Sequence, residues 1–247
     1  MKKILDIYYT KEKHPMQMLD IYLPEAESFP VFVYFHGGGL EHGSRAAGTY
    51  GELLTAKGVA LVSVEYRMYP DAKYPDFIED CAAAVAWVKS NISQYGTPEG
   101  IYVGGSSAGG YLSMMLCFDQ KYLGVHGIDP LEIAGWFHDA GQPTKHFNVL
   151  KYEGEDSRRI IVDETAPLYH IGTAEKHSPM RFIVSDSDME NRYEQTMLVL
   201  STMKHFGYTG YDYRLMHGTH CHYTKAKDGK DAGLCNMILD FIKNPPK

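Results

Sequence analysis

Ser107 stands at the centre of Gly105-Ser106-Ser107-Ala108-Gly109, a G-x-S-x-G pattern. A hydroxyl raised on a sharp turn can attack an acyl carbon, and glycines on either side leave room for such a turn. The run before it (101–104) is short and rich in strand formers, and the run after it (111–118) reads as a helix. The start of that helix would offer free N–H groups and the positive end of a dipole to an oxyanion. An inert Gly/Ser-rich turn would show the same five letters, so the pattern needs a companion.

The companion is His36-Gly37-Gly38-Gly39, directly after an apolar run at 31–35. Successive glycines let backbone N–H groups approach a tetrahedral intermediate closely. A serine also needs a base and a group to orient that base. The base is sought after the last strand, where His217, His220 and His222 lie within six residues, and the orienting acid after the strand at 181–185, where Asp186 and Asp188 both qualify. These histidines and aspartates could instead be read as metal ligands. However, H-x-x-H-x-H is not a recognised ligand spacing, and a metal would leave both glycine motifs unexplained. Cys221 is a weaker nucleophile candidate, because the neighbour of His220 points to the opposite side of an extended chain.

Together these motifs resemble the HGGG-type, hormone-sensitive-lipase-like esterases of the α/β-hydrolase fold, and the related acetyl and feruloyl esterases of carbohydrate breakdown. The likeness runs over about 15–242. It implies Ser107 as nucleophile, with an oxyanion hole formed by the N–H groups of Gly38, Gly39 and Ala108. The G-x-x-D pattern of the family selects Asp188, and its Gly-before, aromatic-after pattern selects His220 between Gly218 and Tyr223. Tyr66-Arg67 matches a structural Y-R signature. The implied activity is a serine carboxylesterase acting on short-chain esters, with acetylated or feruloylated carbohydrate as candidates. The alternatives are amidase, formamidase or peptidase use of the same triad and, from another class, a non-catalytic ligand-binding protein. No metal or organic cofactor is required.

The elements that must carry these residues follow from hydrophobic periodicity. Strands are expected at 4–10, 16–23, 31–35, 60–66, 101–104, 133–137, 181–185 and 211–216, and helices at 76–92, 111–118, 194–206 and 230–242. Asp76 is expected to cap the first of these helices. Strands alternating with helices predict a mostly parallel eight-stranded sheet covered on both faces, with chemistry beyond the carboxyl ends of the strands. The 247 residues, 44% hydrophobic and without linker or repeat, suit one α/β-hydrolase domain over 1–247, with a short lid within about 139–180. In and just before that segment His138, Gln142 and His146 are polar groups that need partners and are expected to bind substrate, while Asp163 and Glu164 receive no role.

The formal net charge of −7 argues against a phosphate-tracking nucleic-acid binder. Neither a signal-peptide h-region nor a membrane span is expected, so the chain reads as cytoplasmic, with a small-molecule ester as its partner; a homo-oligomer is left open. The four cysteines show no C-x-x-C spacing and read as free thiols.

Overall fold

The central runs of the chain are apolar on both sides of the pleat, as a sheet covered by helices on both faces requires. A computed structural model describes residues 1–46, 48–224 and 233–247. The strands are β1 (Lys2–Tyr8), β2 (Met18–Leu23), β3 (Ser28–Phe35), β4 (Ala60–Val64), β5 (Thr97–Ser106), β6 (Gly135–Asp139), β7 (Met180–Ser187) and β8 (Tyr211–Thr219). They form one sheet in the order β1-β2-β4-β3-β5-β6-β7-β8. The β1–β2 and β2–β4 pairs are antiparallel, and β4 through β8 pair in parallel.

Along β3 the alternation sorts side chains to two cores. Val31, Val33 and Phe35 join one, and Phe32 and Tyr34 join the other. The first core is covered by α2 (Asp76–Asn91), α3 (Ala108–Phe118) and α6 (Arg192–His205). The second is covered by α1 (Gly48–Thr55) and α7 (Gly233–Lys243), whose Leu234, Ile238 and Phe241 face the sheet. The short helices α4 (Lys121–Gly124) and α5 (Phe147–Tyr152) complete the set. Arg181, 1% exposed, ties β7 to β8 and α7 through Asp212 (2.7 Å to each oxygen) and Asp240 (2.6 Å). No helix among the described residues is long and apolar enough to cross a membrane.

Several boundaries differ from expectation. β5 begins at Thr97 because 97–100, a turn by composition, runs as an irregular strand beside Ser28 and Phe29. Asp76 does not cap α2; Pro75 holds that place, and the Asp76 carboxylate accepts from Lys73 N (3.0 Å) in the turn before it. α6 starts two residues early, at Arg192. The expected helix at 230–242 is described from Gly233; residues 230–232 lie outside the described residues. All four cysteines are free.

His138 and His146 are sealed in the folded chain. Burial, joined by the neighbouring His177, pushes His138 down to about 3, and burial with Arg192 does the same to His146. An unfolded imidazole protonates near about 6.5, so below that pH the unfolded state binds more protons than the folded one. Stability should therefore fall as the pH drops from about 6.5 toward about 3, by up to roughly 1.4 kcal/mol per pH unit for each imidazole. Urea midpoints followed by circular dichroism between about pH 7.5 and about pH 4.5 measure this. His138→Gln should flatten the slope; an unchanged slope would remove His138 from the cause.

Candidate active site

Parallel β3 and β5 are neighbours, so the loops leaving their carboxyl ends meet. The meeting is tight: a Cβ on Gly109 would lie 2.0 Å from the carbonyl oxygen of Phe35. Ser107 sits between β5 and α3 with φ 56 and ψ −114, a conformation that side-chain-bearing residues rarely adopt. The surroundings impose it, with Ser107 N donating to Asp139 O (2.8 Å) and Tyr111 N donating to Ser107 O (3.0 Å).

The glycine loop after β3 is oriented by its carbonyls. His36 Nδ1 hydrogen-bonds to Gly37 O at 2.7 Å, and Gly38 O accepts from Glu41 N and His42 N, both at 3.1 Å. In a trans peptide the N–H points opposite to the C=O. These bonds therefore turn the N–H groups of Gly38 and Gly39 away from the His36 ring and the 41–42 turn, and neither donates to an acceptor among the described residues. Gly38 itself has φ +119, and a Cβ there would meet His42 O at 1.8 Å. With Ala108 at the first turn of α3, three N–H groups are available beside Ser107.

Further contacts hold this loop. The His36 ring stacks on Tyr66 (4.4 Å), Tyr66 OH donates to His36 O (2.8 Å), and His36 Nε2 faces Glu65 (3.1 Å). Burial raises the Glu65 carboxyl, but His36 and Arg45 outweigh it and hold the group below its ordinary value. Arg67, the other half of the Y-R pair, binds Asp80 (2.8 Å) at the head of α2. Asn148 of α5 donates to Gly39 O (2.5 Å) and to Glu41 (3.0 Å), and Lys151 and Tyr152 also reach Glu41. Nothing in the spacing of Glu41, Asn148 and Tyr152 marks this clamp; only the position of Glu41, directly after the glycines and Leu40, hints at it.

The structure brings Ser107, His220 and Asp188 into one line. Ser107 Oγ lies 2.9 Å from His220 Nε2, and His220 Nδ1 lies 2.5 Å from Asp188 Oδ1. The Asp188 side chain is wholly buried. Burial pushes its carboxyl up, and the hydrogen bond and charge of His220 outweigh that, so the group stays below its ordinary value. Asp186 serves elsewhere, accepting from Gly218 N (2.9 Å) and pairing with His217 (2.7 Å) on the surface. His222 bonds back to Thr219 O (2.8 Å). The three imidazoles thus turn to three different partners.

The other candidate residues are placed differently from expectation. Cys221 is not on the far side of the chain: it takes φ 52, and its sulfur lies 3.6 Å from His220 Nε2. Burial, with Asp139 and Asp188 nearby, pushes its thiol up, which disfavours the thiolate a nucleophile needs. His138, Gln142 and His146 do not line the cavity at Ser107. His138 hydrogen-bonds Ser113 Oγ (2.9 Å) inside the core, and His146 caps α5. Gln142 is spent on Thr144 (3.1 Å) and Lys145 O (2.9 Å). Each found an internal partner, which its residue type alone does not reveal. Asp163 accepts from the backbone and hydroxyl of Thr165 (3.0 and 2.6 Å), and the carbonyl of Glu164 accepts from Tyr74 (3.3 Å); both fix a loop. The cavity itself, about 430 Å³, is lined by Glu41, His42, Tyr50, Phe147, Asn148 and Met189 around Ser107 and His220.

Residues 19–131 match the BD-FAE family model. Esterase LipC of Mycobacterium tuberculosis is 36% identical over 107 residues, 41% of this chain and 27% of that protein. Gibberellin receptor GID1B of Arabidopsis thaliana is 38% identical over 98 residues, 37% of this chain and 27% of that one. The chain thus spans about a quarter of the length of these curated relatives. A truncated carbohydrate esterase from gut microbiota superposes with a TM-score of 0.79 at 19% identity, covering 98% of this chain and 95% of that one, a likeness that speaks to the fold. With its sheet order, its strand-to-helix elbow and its glycine loop beside that elbow, the chain has the α/β-hydrolase fold and resembles the HGGG-type branch.

Proposed function

We propose that this protein is a carboxylic ester hydrolase using Ser107, His220 and Asp188, with short-chain esters, including acetylated or feruloylated carbohydrate, as substrates. The observation that carries the reading is the unbroken line from Ser107 Oγ through His220 to a buried carboxylate. His220 Nδ1–H donates to Asp188, which leaves Nε2 to take the Ser107 proton as the hydroxyl attacks the ester carbonyl. The N–H groups of Gly38, Gly39 and Ala108 receive the developing oxyanion. The protonated imidazole then gives its proton to the leaving alcohol, and water, activated by the same nitrogen, releases the acid. A binding-only role, in the manner suggested by the gibberellin receptor's name, would leave that line of three groups without a use.

Ser107→Ala should lower turnover by roughly 10⁴–10⁶-fold and abolish fluorophosphonate labelling. His220→Ala should approach that loss, while His217→Ala and His222→Ala stay within about tenfold of the parent. Turnover surviving in Ser107→Ala would sink the reading, as would a large loss on adding EDTA to the parent.

Acyl preference should favour acetyl to butyryl over long chains. The cavity holds only about 430 Å³, and Glu41, His42 and Asn148 sit in its wall beside Tyr50, Phe147 and Met189, so a long fatty chain would meet polar groups that do not repay its burial. A matched apolar tunnel would instead gain roughly 1–3 kcal/mol per methylene. A p-nitrophenyl ester series measures the trend, and a kcat/KM maximum at decanoyl or beyond would overturn it.

A further inference from the structure

Beneath the elbow, β6 ends in a carboxylate that the ester chemistry above does not use. Asp139 is 0% exposed, deeper than most aspartates in any fold. Ser106 Oγ donates to its Oδ2 at 2.5 Å, and the hydroxyl of Tyr223 donates to its Oδ1. Tyr34 OH in turn donates to Ser106 Oγ at 3.2 Å, so a chain of hydroxyls ends on this one group. The backbone carbonyl of Asp139 meanwhile accepts from Ser107 N at 2.8 Å. Burial pushes the Asp139 carboxyl up to about 6, against the opposing pull of Ser106, Tyr223 and the charge of His220. A buried carboxylate is a costly way to fill space, and an apolar residue would pack there at lower cost.

The partners of Asp139 explain its presence. Ser106 immediately precedes Ser107, and Tyr223 lies three residues beyond His220 in the turn His222–Thr224. The elbow and the base loop lie 113 residues apart in the chain, and the 2.9 Å contact between Ser107 Oγ and His220 Nε2 depends on how they sit relative to each other. We propose that Asp139 is a positioning residue that fixes the nucleophile elbow and the general-base loop to one another through Ser106 and Tyr223. It touches no substrate; it sets the distance over which the serine proton moves. A misplacement of about 1 Å at such a contact can cost about 10²-fold in rate. This inference rests on the triad proposed above.

The test compares Asp139→Asn, Tyr223→Phe, Ser106→Ala and their pairs on a short-chain p-nitrophenyl ester, with active enzyme counted by fluorophosphonate titration. Asp139→Asn should lower kcat about 10–100-fold while KM stays within about twofold. Tyr223→Phe should lower kcat about 3–10-fold in the parent, and that effect should shrink below about twofold once Asp139 is Asn. A purely structural role would lower the active fraction instead and leave kcat per active site unchanged. The proposal is overturned if kcat per active site stays within about twofold of the parent in Asp139→Asn, or if the two effects multiply independently. Should Asp139→Asn not fold, Ser106→Ala and Tyr223→Phe decide alone: coupled losses support the anchor, and multiplying losses remove it. Ser107→Ala run alongside keeps the readings apart, because turnover surviving there removes the triad, whereas turnover surviving only in the Asp139 series removes the anchor.

Discussion

The distance between the ends of β3 and β5 admits no side chain, and the rest of the site follows from that. Beyond Phe35 the chain must turn away within a few residues while the elbow passes against its carbonyl, so Gly109 cannot carry a Cβ. With no side chains between them, the two loops present backbone to one another. Backbone is what an oxyanion requires, because N–H groups held by planar peptides neither rotate nor retreat as charge develops. The strained φ of Ser107 belongs to the same constraint, since the turn that lifts the hydroxyl clear must be sharp enough to return at once into α3.

Such a crowded backbone needs outside support, and the chain supplies it through charge. His36 reaches Gly37 O with one ring nitrogen and Glu65 with the other, and Glu65 is held by Arg45, which continues to Asp20 (3.0 Å) on β2. On the opposite side Asn148 and Glu41 join the glycine loop to α5. Surface ion pairs are worth little individually, but the Glu65 pairs are mostly buried, and breaking one would leave an uncompensated charge. The glycine loop therefore takes its rigidity from its neighbours.

The central strands were legible in the sequence because strands buried on both faces read as unbroken β-branched and aromatic runs, and each of the eight expected runs overlaps a strand. α1 and α5 were not legible: at eight and six residues they are too short to show a stripe. At the site, residue types left two aspartates and three histidines open, and only the family resemblance chose among them. His138, Gln142 and His146 depart from the expectation for one common reason. A polar residue at the carboxyl end of a strand looks like a ligand group until its internal partner is known, and that partner is fixed by tertiary packing. Cys221 departs from the expectation because side-chain alternation assumes an extended chain, and its positive φ breaks that assumption.

That positive φ also bears on the role proposed for His220 as base. Gly218, two residues before His220, has φ +142, and a Cβ there would lie 2.8 Å from the His222 ring. The ring of His222 thus lies over Gly218 while its Nδ1 bonds to Thr219 O, closing a tight loop around His220. Tyr223 then fastens the far end of that loop to Asp139. The backbone on both sides of His220 is pinned, yet among the described residues its imidazole meets only Asp188, Ser107 and the Cys221 sulfur as polar groups. A base that exchanges a proton between nucleophile and leaving group needs this combination of a fixed backbone and a ring with few other hydrogen bonds to break, because each competing bond would have to be lost as the proton moves.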